Sequence, residues 1–243
     1  MRNDAQAALL DESGRRTVGH AENIREAQPS MKILQNTGGI ASTNSFMVVD
    51  EATNKAVVFD APDNTVAPLV DEAKKNGWDI IGLWLTHGHF DHVADHAEVT
   101  SKFSEAKVLI HRLDEPKLRR PNSSTFRLPF AIAPRGADEF LEDGQELWIG
   151  KLQVKVIFTP GHSPGHVMFH FPAEKVLIGG DLIIMGAVGR TDFPDANHDV
   201  LNESIRRVMR LPPDTQLLPG HGEASLLADE MKNNPYVREA MRG

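Results

Sequence analysis

Apolar residues in this chain gather in short runs bounded by turn residues, interrupted by a few longer stretches with a helical period. Met31–Leu34, Ser45–Asp50 and Lys55–Asp60 are the first three runs. The turn Glu51-Ala-Thr-Asn54 between the second and third predicts a β-hairpin. Asp63–Gly77 predicts a helix: Val66, Leu69, Val70 and Ala73 share one face, Asp63 or Asn64 supplies the N-cap, and Gly77 the stop. Ile80–Thr86 reads as a buried strand. A polar cluster, a helix reaching about Lys102 and a strand over Lys107–His111 follow it. Further strands are predicted at Glu146–Ile149, Leu152–Phe158, Val167–Phe171 and Lys175–Ile178, a helix over His198–Arg210, and a short strand at Gln216–Leu218.

Two successive groups of strands, each accompanied by helices, predict an α/β fold of four layers. This is an αββα sandwich whose functional loops meet along one edge of the sheets. Residues 1–30 are polar and aperiodic and are expected to form a flexible extension, leaving 31–243 as the folded domain. Within that domain, 112–145 holds Pro116, Pro121, Pro129 and Pro134 and no sustained period, which predicts a long flap or insertion.

Charge narrows the partners: 26 basic against 34 acidic residues leave a net charge of −8, which argues against nucleic acid. No apolar run is long enough for a bilayer and no secretory segment opens the chain, so a cytoplasmic protein acting on a small molecule is expected, without membrane association. Cysteine is absent and histidine numbers 11. Disulfides, thiolate nucleophiles and cysteine-held metals are thereby excluded, and any metal must be held by His and carboxylates.

The chemistry concentrates in Thr86-His87-Gly88-His89-Phe90-Asp91-His92. His87 and His89, two apart in an extended turn, can aim at one ion, while Asp91 and His92 open the next helix, where the dipole favours a carboxylate. So many ligand types in so short a segment exceed what one tetrahedral ion with an open position can take, which points to two ions. Later turns offer partners beside Gly or Pro: His162 in Thr159-Pro-Gly-His162-Ser-Pro-Gly-His166, Asp181 after Gly179-Gly180, and His221 in Pro219-Gly-His221-Gly222.

Together these residues resemble the metallo-β-lactamase superfamily, whose HxHxDH signature is matched by His87, His89, Asp91 and His92. The resemblance implies one ion on His87, His89 and His162, a second on Asp91, His92 and His221, and Asp181 bridging both. It gives Asp91 and Asp181 catalytic roles as well. The ions are expected to be zinc, with iron or manganese compatible with the same donors. Gly189-Arg-Thr-Asp-Phe-Pro194, the Pro-Gly-His221-Gly turn and Asn234-Pro235-Tyr236 most resemble the small glyoxalase II-like hydrolases, the type without a C-terminal helical glutathione domain. The implied activity is hydrolysis of a hydroxyacyl-glutathione thioester by metal-activated water. The rivals are a persulfide dioxygenase with one iron on His87, His162 and Asp181, a lactonase or β-lactamase, and a metal-binding scaffold without catalysis.

Other residues carry weaker expectations. His166 suits a supporting hydrogen bond, and His111 either a packed position or the site mouth; His20, His96, His170 and His198 read as structural or exposed. Asp60 is expected to brace the metal-bearing turn, by the same resemblance, although Ala61-Pro62 replaces the usual Pro-Gly. Arg190 either pairs with Asp192 or faces substrate. Lys117, Arg119, Arg120, Arg127 and Arg135 reverse the sign of the chain's charge locally. They form either a guide for an anionic thioester, with Arg119 and Arg120 as contacts, or a solvated loop.

Overall fold

The computed structural model describes residues 30–121 and 127–243. The expected N-terminal extension therefore lies outside the described residues, apart from Ser30. β1 (Met31–Gly38), β2 (Thr43–Asp50) and β3 (Lys55–Phe59) form an antiparallel meander, with Met31 opposite Asp50 and Asp50 opposite Lys55. The chain then crosses over in parallel through α1 (Ala67–Asn76) to β4 (Asp79–Trp84), and through α2 (Phe90–Val93) and α3 (His96–Thr100) to β5 (Lys107–His111). After α4 (Glu115–Arg119), β6 (Glu139–Leu141) completes a sheet of order β1-β2-β3-β4-β5-β6.

The second sheet starts with an antiparallel run of β7 (Glu146–Ile149), β8 (Leu152–Phe158), β9 (Val167–Phe171) and β10 (Val176–Gly180). A small hairpin of β11 (Ile183–Ile184) and β12 (Ala187–Val188) and the helix α5 (His198–Val208) follow. β13 (Gln216–Pro219) then joins parallel to β10, and β14 (Ser225–Leu226) closes the order β14-β13-β10-β9-β8-β7 before α6 (Leu227–Asn233) and α7 (Pro235–Ala240).

Alternation along the strands divides the interior into three apolar layers, which makes the four-layer sandwich explicit. Phe46, Val48, Val57 and Trp84 face Val154, Val156, Phe169 and Leu218 between the sheets, while Met47, Val49, Val58 and Leu83 pack against Leu69, Val70 and Val99 of the helices. On the far side Met168, Leu177 and Leu217 meet Leu201, Ile205 and Val237. Phe59 lies in the inter-sheet layer, with Trp84, Phe169 and Phe171 edge-on at 5.5, 5.0 and 6.2 Å. Such pairs add about 0.5–1.5 kcal/mol each beyond area burial. β3, β4, β5, β10 and β13 deliver their C-terminal loops to one edge, where parallel strands place ligand sites. No helix among the described residues is long and apolar enough to cross a membrane.

Three expectations need correction. The helix expected from Asp63 starts at Ala67, because Asn64 adopts a left-handed φ of 53° and the Asp63 carboxylate accepts the Ile40 N–H instead of capping. Gly77 does end it, at φ 70°. The helix expected to run to Lys102 is split at Ala94–Asp95: the His92 carbonyl accepts from Ala61 N, and Asp95 N donates to the Ala61 carbonyl, so a continuous ladder loses its partners. The stretch 112–145 is not one long flap, since it contains α4 and the edge strand β6, with Leu118 and Leu141 fully buried. Its prolines hid the pairing of Leu109, Ile110 and His111 with Glu139, Phe140 and Leu141.

Candidate metal centre

The site is built by loops that leave strand ends. The segment after β4 turns through His87, Gly88 and His89 into α2, carrying Asp91 and His92. His162 follows β8, Asp181 follows Gly180 at the end of β10, and His221 follows β13. The structure brings all seven sequence-predicted ligands together in three overlapping groups: His87, His89 and His162; His87, His92 and Asp181; Asp91, His92 and His221. His89 Nδ1 lies 3.0 Å from His87 Nε2 and 2.9 Å from His162 Nε2. Asp181 Oδ2 lies 3.2 Å from His221 Nε2 and 3.5 Å from His162 Nε2, and Asp181 Oδ1 lies 3.4 Å from His92 Nε2. Asp181 thus touches both halves of the cluster.

Partners on the outer ring nitrogens fix which lone pairs face inward. Asp60 accepts from Thr86 N and Thr86 Oγ1, each at 2.8 Å, so the Thr86 hydroxyl proton is spent on the carboxylate. His87 Nδ1, 3.0 Å from Thr86 Oγ1, must then donate to it, leaving a lone pair on His87 Nε2. His92 Nδ1 donates to Asp60 Oδ2 at 2.8 Å, and His162 Nδ1 to the Arg190 carbonyl at 2.8 Å. Their Nε2 lone pairs also point into the cluster.

Lone pairs and carboxylate oxygens facing one another repel unless protons or a metal ion lie between them. His92 Nε2 and Asp181 Oδ1 are buried and have no hydrogen-bond partner. Nor can a single proton on His89 Nδ1 serve both His87 and His162. The His and Asp cluster therefore fits a metal site.

Electrostatics divides the cluster. Burial, with His92 next, holds His87 well below its ordinary value, while burial and His162 hold His89 at about 4. Burial works against protonating His92 and His221 too, but Asp181, Asp60 and Asp91 together outweigh it and raise His92, and Asp181 with Asp91 brings His221 to about 10. Burial alone would raise Asp91, but His92 and His221 hold it at about 2.

Supporting residues that sequence reasoning missed come from β2. Thr43 Oγ1 donates to Asp91 Oδ2 at 2.9 Å, and Thr43 pairs with His221 in an isolated bridge. Asn44 Nδ2 donates to the Pro219 and Gly222 carbonyls, both at 2.9 Å, and so clamps the His221 turn. The available signal was polar Thr43-Asn44-Ser45 opening an otherwise apolar strand. His166 makes the supporting bonds expected of it: it accepts from Asp181 N at 2.9 Å, and its Nδ1 lies 2.8 Å from Thr159 Oγ1. His111 stacks on Phe158 at 4.5 Å, away from the cavity lining.

A cavity of about 620 Å³ opens over the cluster, with Phe90, Ile184, Val188, Phe193 and Pro194 on its apolar wall and Lys117, Arg120 and Arg190 among its cations. Arg190 donates to Asp192 through Nε at 2.9 Å and Nη2 at 2.6 Å and lies over the Phe193 ring at 4.8 Å, so it both pairs and lines the cavity. Arg119, a substrate contact on one of the two readings of the basic run, does not line it; Arg119 is paired with Glu115 one turn earlier on α4. Lys117 and Arg135 are likewise matched by Asp195 and Asp138, so the local sign reversal in sequence is largely cancelled in space.

The chain is similar to known proteins in sequence and in fold. Hydroxyacylglutathione hydrolase GloC of Haemophilus influenzae is 29% identical over 203 residues, covering 80% of this chain and 92% of its own. The crystal structure of the BLEG-1 B3 metallo-beta-lactamase superposes with a TM-score of 0.78 at 30% identity, covering 85% of this chain and 99% of that one. TTHA1623 in a di-iron-bound form gives 0.64 at 30% identity, with 86% and 100% covered. The pattern of the metallo-beta-lactamase superfamily matches residues 38–221, which include every strand and turn that supplies the cluster, and the chain belongs to that superfamily.

Proposed function

We propose that this protein is a dinuclear hydrolase of an anionic thioester, of the hydroxyacyl-glutathione type, with zinc as its resident metal. The observation that carries the proposal is the division of the cluster into His87, His89 and His162 on one side and Asp91, His92 and His221 on the other, with Asp181 between them. Two divalent ions held there would supply a water that loses its proton near pH 7. The name of the Haemophilus influenzae relative supports the substrate class.

The chain's own residues set the rest. Asp91, fixed by the Thr43 hydroxyl at 2.9 Å, orients the attacking water. The substrate carbonyl approaches from the cavity, past Phe193, which stands 5.0 Å from the His89 ring. Arg120 and Arg190 receive anionic groups at the cavity wall. Lys117 is held by Asp195, Asp114 and Ser163, so among the described residues the cavity offers no evident proton donor for a leaving group. A thiolate, whose acid has a pKa of about 8.5, needs none.

A second reading, a mononuclear-iron persulfide dioxygenase on His87, His162 and Asp181, uses the same pocket, and His162 Nε2 does lie 3.5 Å from Asp181 Oδ2. The intact second set favours hydrolysis. Metal analysis of protein purified without chelator, with a thioester panel and an oxygen-electrode trace on glutathione persulfide, decides. Two zinc ions and thioester turnover without oxygen uptake are expected; one iron with oxygen uptake would replace the proposal with the second reading.

A further inference from the structure

Asp114 has no place in the ligand set, yet its carboxylate sits wholly buried just after β5 and ties two ligand loops together. Oδ2 accepts from Gly88 N at 2.8 Å and Ser163 Oγ at 2.5 Å; Oδ1 accepts from Gly165 N at 2.9 Å and Lys117 Nζ at 3.3 Å. Gly88 lies between His87 and His89, while Ser163 and Gly165 lie between His162 and His166. One carboxylate therefore spans the turns that bring His89 Nδ1 and His162 Nε2 to 2.9 Å.

Four donors converge on it, and only an ionised carboxylate, acceptor on both oxygens, can serve them all. Burial alone would raise its pKa, but Lys117, Ser163 and the two backbone N–H groups hold it below the usual range. Lys117 also donates to Ser163 Oγ at 2.5 Å and pairs with Asp195 Oδ2 at 2.8 Å, extending the network to the loop that bears Arg190 and Phe193.

The fit is close. A Cβ on Gly88 would come within 2.9 Å of Lys117 Cβ, and one on Gly165 within 2.8 Å of Asp114 Cγ. Glycine at both places lets the backbone approach the carboxylate.

We propose that Asp114, neutralised by Lys117, is a positioning residue that sets the spacing of His89 and His162 and so the affinity of the His87, His89 and His162 site for its ion. The Asp91, His92 and His221 site, braced separately by Asp60, Thr43 and Asn44, does not depend on it. The inference rests on the two-ion reading above.

Its test is a competition titration of metal-free full-length protein with zinc against a chromophoric chelator, alongside the absorption spectrum of the cobalt-loaded protein. In Asp114→Asn an amide NH2 would face donors, so one of the two zinc affinities should fall about 10–100-fold while the other stays, with a smaller selective loss in Ser163→Ala. The cobalt spectrum should change for the weakened ion alone. Two affinities at wild-type level in both variants would overturn the proposal, as would an equal loss at both sites. Should Asp114→Asn fail to fold, Ser163→Ala and Lys117→Gln decide, and wild-type affinities in both would overturn it. A wild-type protein holding a single ion would refute the two-ion reading alone; the role of Asp114 would then stand or fall on whether Asp114→Asn weakens that ion.

Discussion

Asp60 Oδ2 and His92 Nδ1 lie 2.8 Å apart with both side chains buried, and this one bond decides which nitrogen His92 turns toward the centre. The same carboxylate holds Thr86 N and Oγ1, and through that hydroxyl it sets His87 as well. In Asp60→Asn one oxygen becomes an NH2 group, which opposes Thr86 N–H if it takes the place of Oδ1, or both the Thr86 hydroxyl and His92 Nδ1–H if it takes the place of Oδ2. His92 can answer only by moving its proton to Nε2 and withdrawing that lone pair. Asparagine tolerates the left-handed φ of 57° at this position, so the backbone is not the cause. Metal affinity and kcat/KM should each fall about 10–100-fold. Metal content after dialysis checks it, and an unchanged value would show that the brace is dispensable.

Gly220 makes the same point from the other side of the cluster. A Cβ there would overlap Asp181 Oδ1 and stand 2.8 Å from His92 Cε1. Gly220→Ala should displace Asp181 and His92 while leaving the sheet registers intact. A displacement of about 1 Å in a reacting constellation costs on the order of 100-fold in rate. Loss of activity with a far-ultraviolet spectrum like the wild type is the expected outcome, and full activity would contradict the tight packing.

The sandwich and the turns that build the His and Asp cluster could be read from sequence because each rests on local information. Alternating apolar runs name the strands, and a ligand flanked by glycine or proline marks a rigid turn. Polar Thr43 and Asn44 stood out in an apolar strand, but their roles and that of Asp114 could not be read, since they depend on partners far along the chain: Asp91 for Thr43, Pro219 for Asn44, Gly165 for Asp114. Arg119 failed for a related reason. A basic run has one sign in sequence, but Glu115, Asp138 and Asp195 neutralise it from neighbouring turns and loops.

Two arginines adjacent in sequence differ in whether they line the cavity. Arg120 lines the cavity, whereas Arg119 is paired with Glu115 outside it. If an anionic thioester is drawn in by charge, Arg120→Glu should lower kcat/KM several-fold and flatten its dependence on ionic strength. Arg119→Glu should leave both near wild type. Equal effects from the two reversals would mean that net charge, and not the cavity wall, governs association.

Asp50 gives a pH dependence away from the metal centre. Its buried carboxylate joins the hairpin of the first sheet to the β7–β8 turn of the second, accepting from Lys151 N and Thr53 Oγ1, both at 2.7 Å, and from Ala52 N at 3.1 Å. Burial would raise its pKa, but these bonds outweigh burial and hold it below its ordinary value. A depressed folded value means the stabilisation is full above the unfolded pKa of about 3.9 and disappears as pH falls through the lower folded value. Asp50→Asn should therefore cost about 1–3 kcal/mol at neutral pH, from buried donors left unmatched. The gap to wild type should narrow only below about pH 4, where the wild-type carboxylate takes up its proton. Urea melts of metal-free protein, run from roughly pH 7 down to pH 3, measure this without interference from metal loss. A gap that stays constant across that range would show that the carboxylate's shape, and not its charge, holds the two sheets together here.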